Sequence, residues 1–168
     1  HEVSHKYGYG VIDAGAAVSL AESWTSVEEE ISFSSGTLTV GTDIPDNSPN
    51  YISSNTTVSD AILVENVDII VDIPHDFRGD LEIILTSPSG TESILSEKHD
   101  DDGSDYNNWR FSTVHNWGED SRGNWTLTVE DQGNNDVGSF DEWELIIYGT
   151  QMNLDSDGDN LSDTNETD

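Results

Sequence analysis

Four stretches of the chain alternate apolar and polar side chains with a period of two, and that period excludes a helical bundle. Val67, Ile69, Val71 and Ile73 alternate with Asp68 and Asp72, and Leu81, Ile83 and Leu85 follow. Trp125, Leu127 and Val129 alternate with Thr126 and Thr128, and Trp143, Leu145 and Ile147 with Glu144. Such runs are antiparallel strands with one face on a core. Weaker runs at Ile31 to Val40, Val58 to Val64, Ser93 to Leu95 and Trp109 to Val114 bring the count to about eight, which favours an all-β jelly-roll sandwich. Turn formers such as Ser87-Pro88-Ser89-Gly90 and Gly133-Asn134-Asn135 separate the runs.

One short helix is predicted ahead of the strands, between Gly10 and Trp24. Asp13 is its cap, and Ala14, Ala17, Val18 and Ala21 share one face. The face is small and apolar, and no second helix is predicted to cover it. Its partner is therefore expected upstream, in a longer polypeptide of which this is a piece. The acidic triplet Glu28-Glu29-Glu30 marks the boundary with the sandwich. The expected organisation is residues 1–27 as the end of a preceding domain, 28–150 as the sandwich and 151–168 as an acidic tail.

The formal charge is −30, from 5 Lys and Arg against 35 Asp and Glu. Phosphate backbones and anionic membranes would be repelled, so nucleic acid and membrane surfaces are excluded as partners. Most of these carboxylates read as a solvated surface, and a few have ligand-like spacing. No run approaches the roughly 20 apolar residues of a membrane span. With no cysteine, disulfides and thiolate metal sites are excluded.

The sharpest spacing lies in the tail. With Asp155 as position 1, Asp157 stands at 3, Asp159 at 5, Leu161 at 7, Asp163 at 9 and Glu166 at 12, the ligand register of a calcium loop, with a backbone carbonyl at 7 and a bidentate acid last. Asn160 replaces the usual Gly at position 6, and flanking helices are missing. The tail resembles a single thrombospondin type 3-like calcium repeat. Without an ion it has too few apolar residues to fold, and a disordered acidic tail is the other reading. Ca²⁺ is the cofactor expected. Asp46, Asp80, Asp100, Asp102, Asp131 and Asp136 lie in loops between strands, where a second calcium site could converge or solvent alone could surround them.

Nucleophilic catalysis needs a hydroxyl beside a base oriented by a third group. His75, His99 and His115 stand in no such motif, and His1 and His5 lie at the chain end, so no catalytic residue is assigned. Arg78-Gly79-Asp80 spells an adhesion tripeptide, but its place before a strand favours a turn with a structural arginine-to-aspartate contact.

Taken in order, His75-x-x-Arg78-Gly79-Asp80-Leu81-x-Ile83-x-Leu85-x-Ser87-Pro88-x-Gly90-Thr91, Trp109-x-Phe111-Ser112, Trp117-Gly118-Glu119, Gly123-x-Trp125-x-Leu127-x-Val129-x-Asp131 and Gly138-x-Phe140-x-x-Trp143-x-Leu145 resemble the P domain, or Homo B domain, of furin- and kexin-like proprotein convertases. The resemblance runs from about Ile44 to Thr150. His5 to Ala14 resembles the end of a kexin-type subtilisin catalytic domain, which accounts for the unpartnered helix. In that family the catalytic Asp, His, Asn and Ser lie upstream, so none falls on this chain. The resemblance implies a jelly-roll domain that stabilises and regulates a secreted, calcium-dependent serine endopeptidase, with the upstream catalytic domain as partner and protein as substrate. The acidity, the lack of cysteine and the tail point to a bacterial enzyme. The alternative is a module that binds protein or polysaccharide substrate through exposed Trp109, Trp117 or Tyr106.

Overall fold

The structure, a computed structural model, describes residues 4–26, 28–47 and 49–152. Helix α1 spans Ala14–Ala21. The strands are β1 (Ile31–Ser34), β2 (Leu38–Asp43), β3 (Tyr51–Val58), β4 (Ile62–Ile73), β5 (Leu81–Thr86), β6 (Glu92–Ser96), β7 (Tyr106–Thr113), β8 (Gly123–Asp131) and β9 (Ser139–Gln151). A single 3-10 turn, Arg78–Asp80, precedes β5. Every ladder is antiparallel. The first sheet has the order β1-β9-β4-β7, with β2 also on β9, and the second has the order β3-β8-β5-β6.

The two sheets face each other as a sandwich. Val67, Ile69, Val71, Ile73, Trp143, Leu145 and Ile147 of the first sheet meet Leu81, Ile83, Leu85, Trp125, Leu127 and Val129 of the second in one buried cluster. This is the alternating set read from the sequence, now divided between two layers. The long strand β4 keeps its apolar side inward by one irregularity. Its register against β9 shifts between Val64 and Asn66, so Ile62 and Val64 on one side and Val67, Ile69 and Val71 on the other all stay buried. A bulge that adds one residue flips the parity of the alternation.

The nine strands among the described residues agree with the expected count of about eight, and three details are corrected. Ile31 to Val40 is two strands divided at Gly36, whose φ of 63° suits glycine best. The run Val58 to Val64 is not a strand. It turns at Ser59–Ala61, so that Val58 ends β3 in the second sheet and Ile62 begins β4 in the first. The buried hydroxyl of Ser121 holds this corner, accepting from Ile62 N and donating to Asp60 O. The helix is also shorter than Gly10 to Trp24. Asp13 does cap it, accepting from Ala16 N at 3.0 Å, but none of its residues is buried.

Candidate functional site

Two ends of the sandwich gather the side chains that bear on function. At one end, His75, after β4, and Asp131, the last residue of β8, are 2% and 1% exposed and meet at 3.4 Å between His75 Nε2 and Asp131 Oδ2. The other Asp131 oxygen accepts from Gly133 N at 2.8 Å, and Asp105 Oδ1 accepts from His75 N at 2.9 Å. Three loops are thereby joined around one imidazole. The pair was invisible in the sequence, because 56 residues separate its members.

The tripeptide Arg78-Gly79-Asp80 lies beside this pair and forms the expected turn. Arg78 and Asp80 do not contact each other. Arg78 Nε donates to Asp101 Oδ2 at 2.8 Å and its guanidinium lies 5.1 Å from the centre of the Trp109 ring, while Asp80 pairs with Lys98 at 3.0 Å. Asp101, which also accepts from Gly103 N, is held below the ordinary aspartate range by Arg78 first and by that amide second. With its arginine held in this way, the tripeptide is a structural turn, and the adhesion reading is set aside.

Of the loop aspartates, Asp80 and Asp131 both lie against Gly133. Asp46 accepts from Asn135 N, Asp80 and Asp131 have the partners just given, and among the described residues no three acids or histidines are placed to hold a metal ion. No cluster of three such side chains therefore forms from Asp46, Asp80, Asp100, Asp102, Asp131 and Asp136. The tail ligands Asp155, Asp157, Asp159, Leu161, Asp163 and Glu166 lie outside the described residues.

At the opposite end the N-terminal segment lies against the sandwich. The Tyr9 hydroxyl donates to Val114 O, His5 Nε2 accepts from Ile94 N at 3.2 Å, and the His5 and His115 rings stand 4.0 Å apart. Burial raises the Tyr9 phenol above its ordinary value, and the charge of Glu119 adds to that. Val114 and Trp117 are about half exposed beside this contact. Residues 105 and 89 positions apart make these bonds, so the alternation of strands gave no signal for them.

The rings of the four described histidines, His5, His75, His99 and His115, contact Ile94, Phe77, Asp131, Glu97, Asp101 and Glu92, and those of His5 and His115 each other. Of the aromatics considered for substrate binding, Trp109 and Trp117 are 40% and 47% exposed, but Tyr106 is buried at 3%. Tyr106 packs edge-on against Trp109 and Phe111 and is part of the core.

On the outer face of the first sheet, Asp68 accepts from Arg110 Nη1 at 2.6 Å, from the Ser112 hydroxyl and from Asn66 Nδ2. Burial alone would raise its carboxyl, but the bonds from Ser112, Arg110 and Asn66, with the guanidinium charge, outweigh burial and lower it. A depressed folded value means that this contribution is present above the unfolded value of about 3.9 and is lost as pH falls through the folded one. Asp68→Asn is expected to weaken the domain at neutral pH and to flatten the loss of melting temperature below about pH 4. Thermal melts of both proteins across that range check it.

A family model described as the proprotein convertase P-domain matches residues 64–147, half of the 168 residues. Among curated proteins, Furin-1 of Xenopus laevis is 35% identical over 164 residues, an alignment that covers 89% of this chain and 20% of that protein. Neuroendocrine convertase 2 of Mus musculus is 36% identical over 159 residues, with 89% and 25% covered. The chain thus spans about a fifth to a quarter of the length of these relatives. Among solved structures, the Aeromonas sobria serine protease in complex with its chaperone superimposes with a TM-score of 0.79 over 89% of this chain and 32% of that one. Sequence identity there is 23%, so the likeness is one of fold.

Proposed function

The chain belongs to the proprotein convertase P-domain family, and from that premise we propose that it is a non-catalytic module stabilising and regulating a secreted subtilisin/kexin-like serine endopeptidase. In this reading residues 28–150 are the P domain and 1–27 the end of the catalytic domain that precedes it. The observation that carries the reading is helix α1. Val18, which shares the apolar face with Ala14, Ala17 and Ala21, is 63% exposed, and no residue of α1 is buried. An apolar face left open is a face for another body. In this reading that body would meet the sandwich on the side where Tyr9 bonds Val114 O and His5 bonds Ile94 N.

A partner that binds only the folded protease raises its stability by mass action, about 2.7 kcal/mol when its effective concentration is 100 times the dissociation constant. The test compares the full-length enzyme with a version lacking residues 28–150. The expected result is a lower melting temperature and loss of secreted peptidase activity, while this chain alone cleaves nothing. Equal melting and equal activity of the two versions would refute the reading.

For the tail we keep the Ca²⁺ proposal on donor chemistry alone, since oxygen ligands at positions 1, 3, 5, 7, 9 and 12 suit that ion. Calorimetric titration with Ca²⁺ is expected to show binding that Asp157→Ala removes; absence of heat at millimolar Ca²⁺ counts against the site.

The exposure of Trp109 and Trp117 favours a second reading, a module that holds protein or polysaccharide substrate. Retention on insoluble substrate that falls in Trp109→Ala or Trp117→Ala would support it over pure stabilisation.

A further inference from the structure

Exposed sheet edges invite pairing with other chains, and folded proteins block them with charges, prolines, bulges, short strands or a cover. In the first sheet, β1 is only four residues long and β2 is bulged between Thr39 and Thr42. On the far side β7 carries Arg110 and a register shift in its ladder with β4. In the second sheet, β6 carries Glu92, has a register shift, and is touched at Ile94 N by His5. Strand β3 has none of these devices. Its eight residues, Tyr-Ile-Ser-Ser-Asn-Thr-Thr-Val, lack charge and proline and pair with β8 in one unbroken register.

At the centre of this edge stands Asn55, in the triplet Asn55-Thr56-Thr57. The Asn-x-Ser/Thr pattern is the acceptor motif for N-linked oligosaccharide. It occurs four times, at Asn55, Asn124, Asn160 and Asn165, so the motif alone does not choose between them. The fold chooses between the two that lie among the described residues. Asn55 and Thr57 are both exposed and, two residues apart on a strand, project from the same outer face. Asn55 makes no side-chain hydrogen bond among the described residues. In the facing triplet, Asn124 is exposed and pairs with Thr57, but β8 is bonded on both sides, to β3 and β5. The middle residue of that triplet, Trp125, is fully buried. To bend it into a transferase, two ladders must open and a core tryptophan must leave. Bending Asn55-Thr56-Thr57 opens one ladder.

We propose that Asn55, and not Asn124, is a site of N-linked glycosylation, and that the glycan is the cover of the β3 edge. The co-substrate is an oligosaccharide carried on a lipid phosphate. The Asn55 amide nitrogen bonds to the anomeric carbon and loses a proton, while the carbon–oxygen bond to the lipid phosphate breaks and its electron pair leaves with the phosphate. This inference rests on export of the protein, the reading given under Proposed function.

The test is peptide mass mapping of the full-length protein recovered from the culture medium of the organism that makes it. The Asn55 peptide is expected to carry a sugar adduct that is lost in Asn55→Gln and Thr57→Ala and kept in Thr57→Ser, with Asn124→Gln unchanged. Asn55→Gln is also expected to self-associate more than the parent in sedimentation, because the edge is bare. An unmodified Asn55 in exported protein, an adduct on Asn124, or a wild-type dimer formed through an unmodified β3 would each overturn the proposal while leaving the export reading standing. Protein found only inside the cell would overturn both.

Discussion

Trp125→Ala is expected to destabilise the domain by about 3–5 kcal/mol, the range for truncating a buried tryptophan. Trp125 is fully buried between the sheets and its Nε1 donates to Ser121 O at 2.8 Å. Removing the ring leaves a cavity in a core that has no spare side chain to fill it. It also leaves the Ser121 carbonyl without its donor, at the corner where the Ser121 hydroxyl ties Asp60 to Ile62. Against a total stability of about 5–15 kcal/mol, the loss would leave a marginal fold. Urea unfolding of the isolated domain is the measurement, read as a lower midpoint at unchanged slope. Trp125→Phe separates the two contributions, since it keeps most of the volume and loses the donor. Trp117→Ala, at the surface, is expected within about 0.5 kcal/mol of the parent. A shift for Trp125→Ala as small as that for Trp117→Ala would show that the core is not where the alternation puts it.

Asp131→Ala is the second large effect, expected at about 2–6 kcal/mol because two buried partners are orphaned and each costs about 1–3 kcal/mol. Those partners are His75 Nε2 and Gly133 N, both held by the one carboxylate. The loops after β4 and β8 would separate, and the Asp105 contact to His75 N would lose its rigid base. Asp131→Asn keeps an oxygen for Gly133 N and an atom facing the imidazole, so its cost is expected to be smaller. Hydrogen exchange at Gly133 and His75 locates the damage, and equal midpoints for the alanine and asparagine variants would reject the structural role given to the carboxylate.

The strands that were readable in the sequence are those whose two faces meet different media. β4, β5, β8 and β9 each turn one side to the core and the other to water, so their side chains alternate visibly. β3 does the same with Ser, Asn and Thr, and apart from Ile52 and Val58 its inward side chains are small and polar, so its alternation carried little contrast. The break between β3 and β4 was missed for a related reason. Val58 and Val64 are both buried, and nothing in the intervening Ser59-Asp60-Ala61 shows that the chain changes sheets there.

The side-chain chemistry was less readable still. The turn at Arg78-Gly79-Asp80 followed from local residues, but its partners, Asp101 and Lys98, came from a loop about twenty residues away. Of the aspartates suspected of converging, Asp80 pairs with Lys98 and Asp46 accepts from Asn135 N, partners that spacing along the chain did not announce.

By itself the order of residues determined the class of fold, the strongest strands, the capped helix and the family, because each of these is written in neighbours within a few positions or in motifs of set spacing. Tertiary structure alone decided which strands share a sheet, that His75 and Asp131 close one end, that Tyr106 is core while Trp109 and Trp117 face water, and that β3 is an unguarded edge. Those outcomes depend on which distant segments meet, and burial belongs to the meeting of two surfaces rather than to either one.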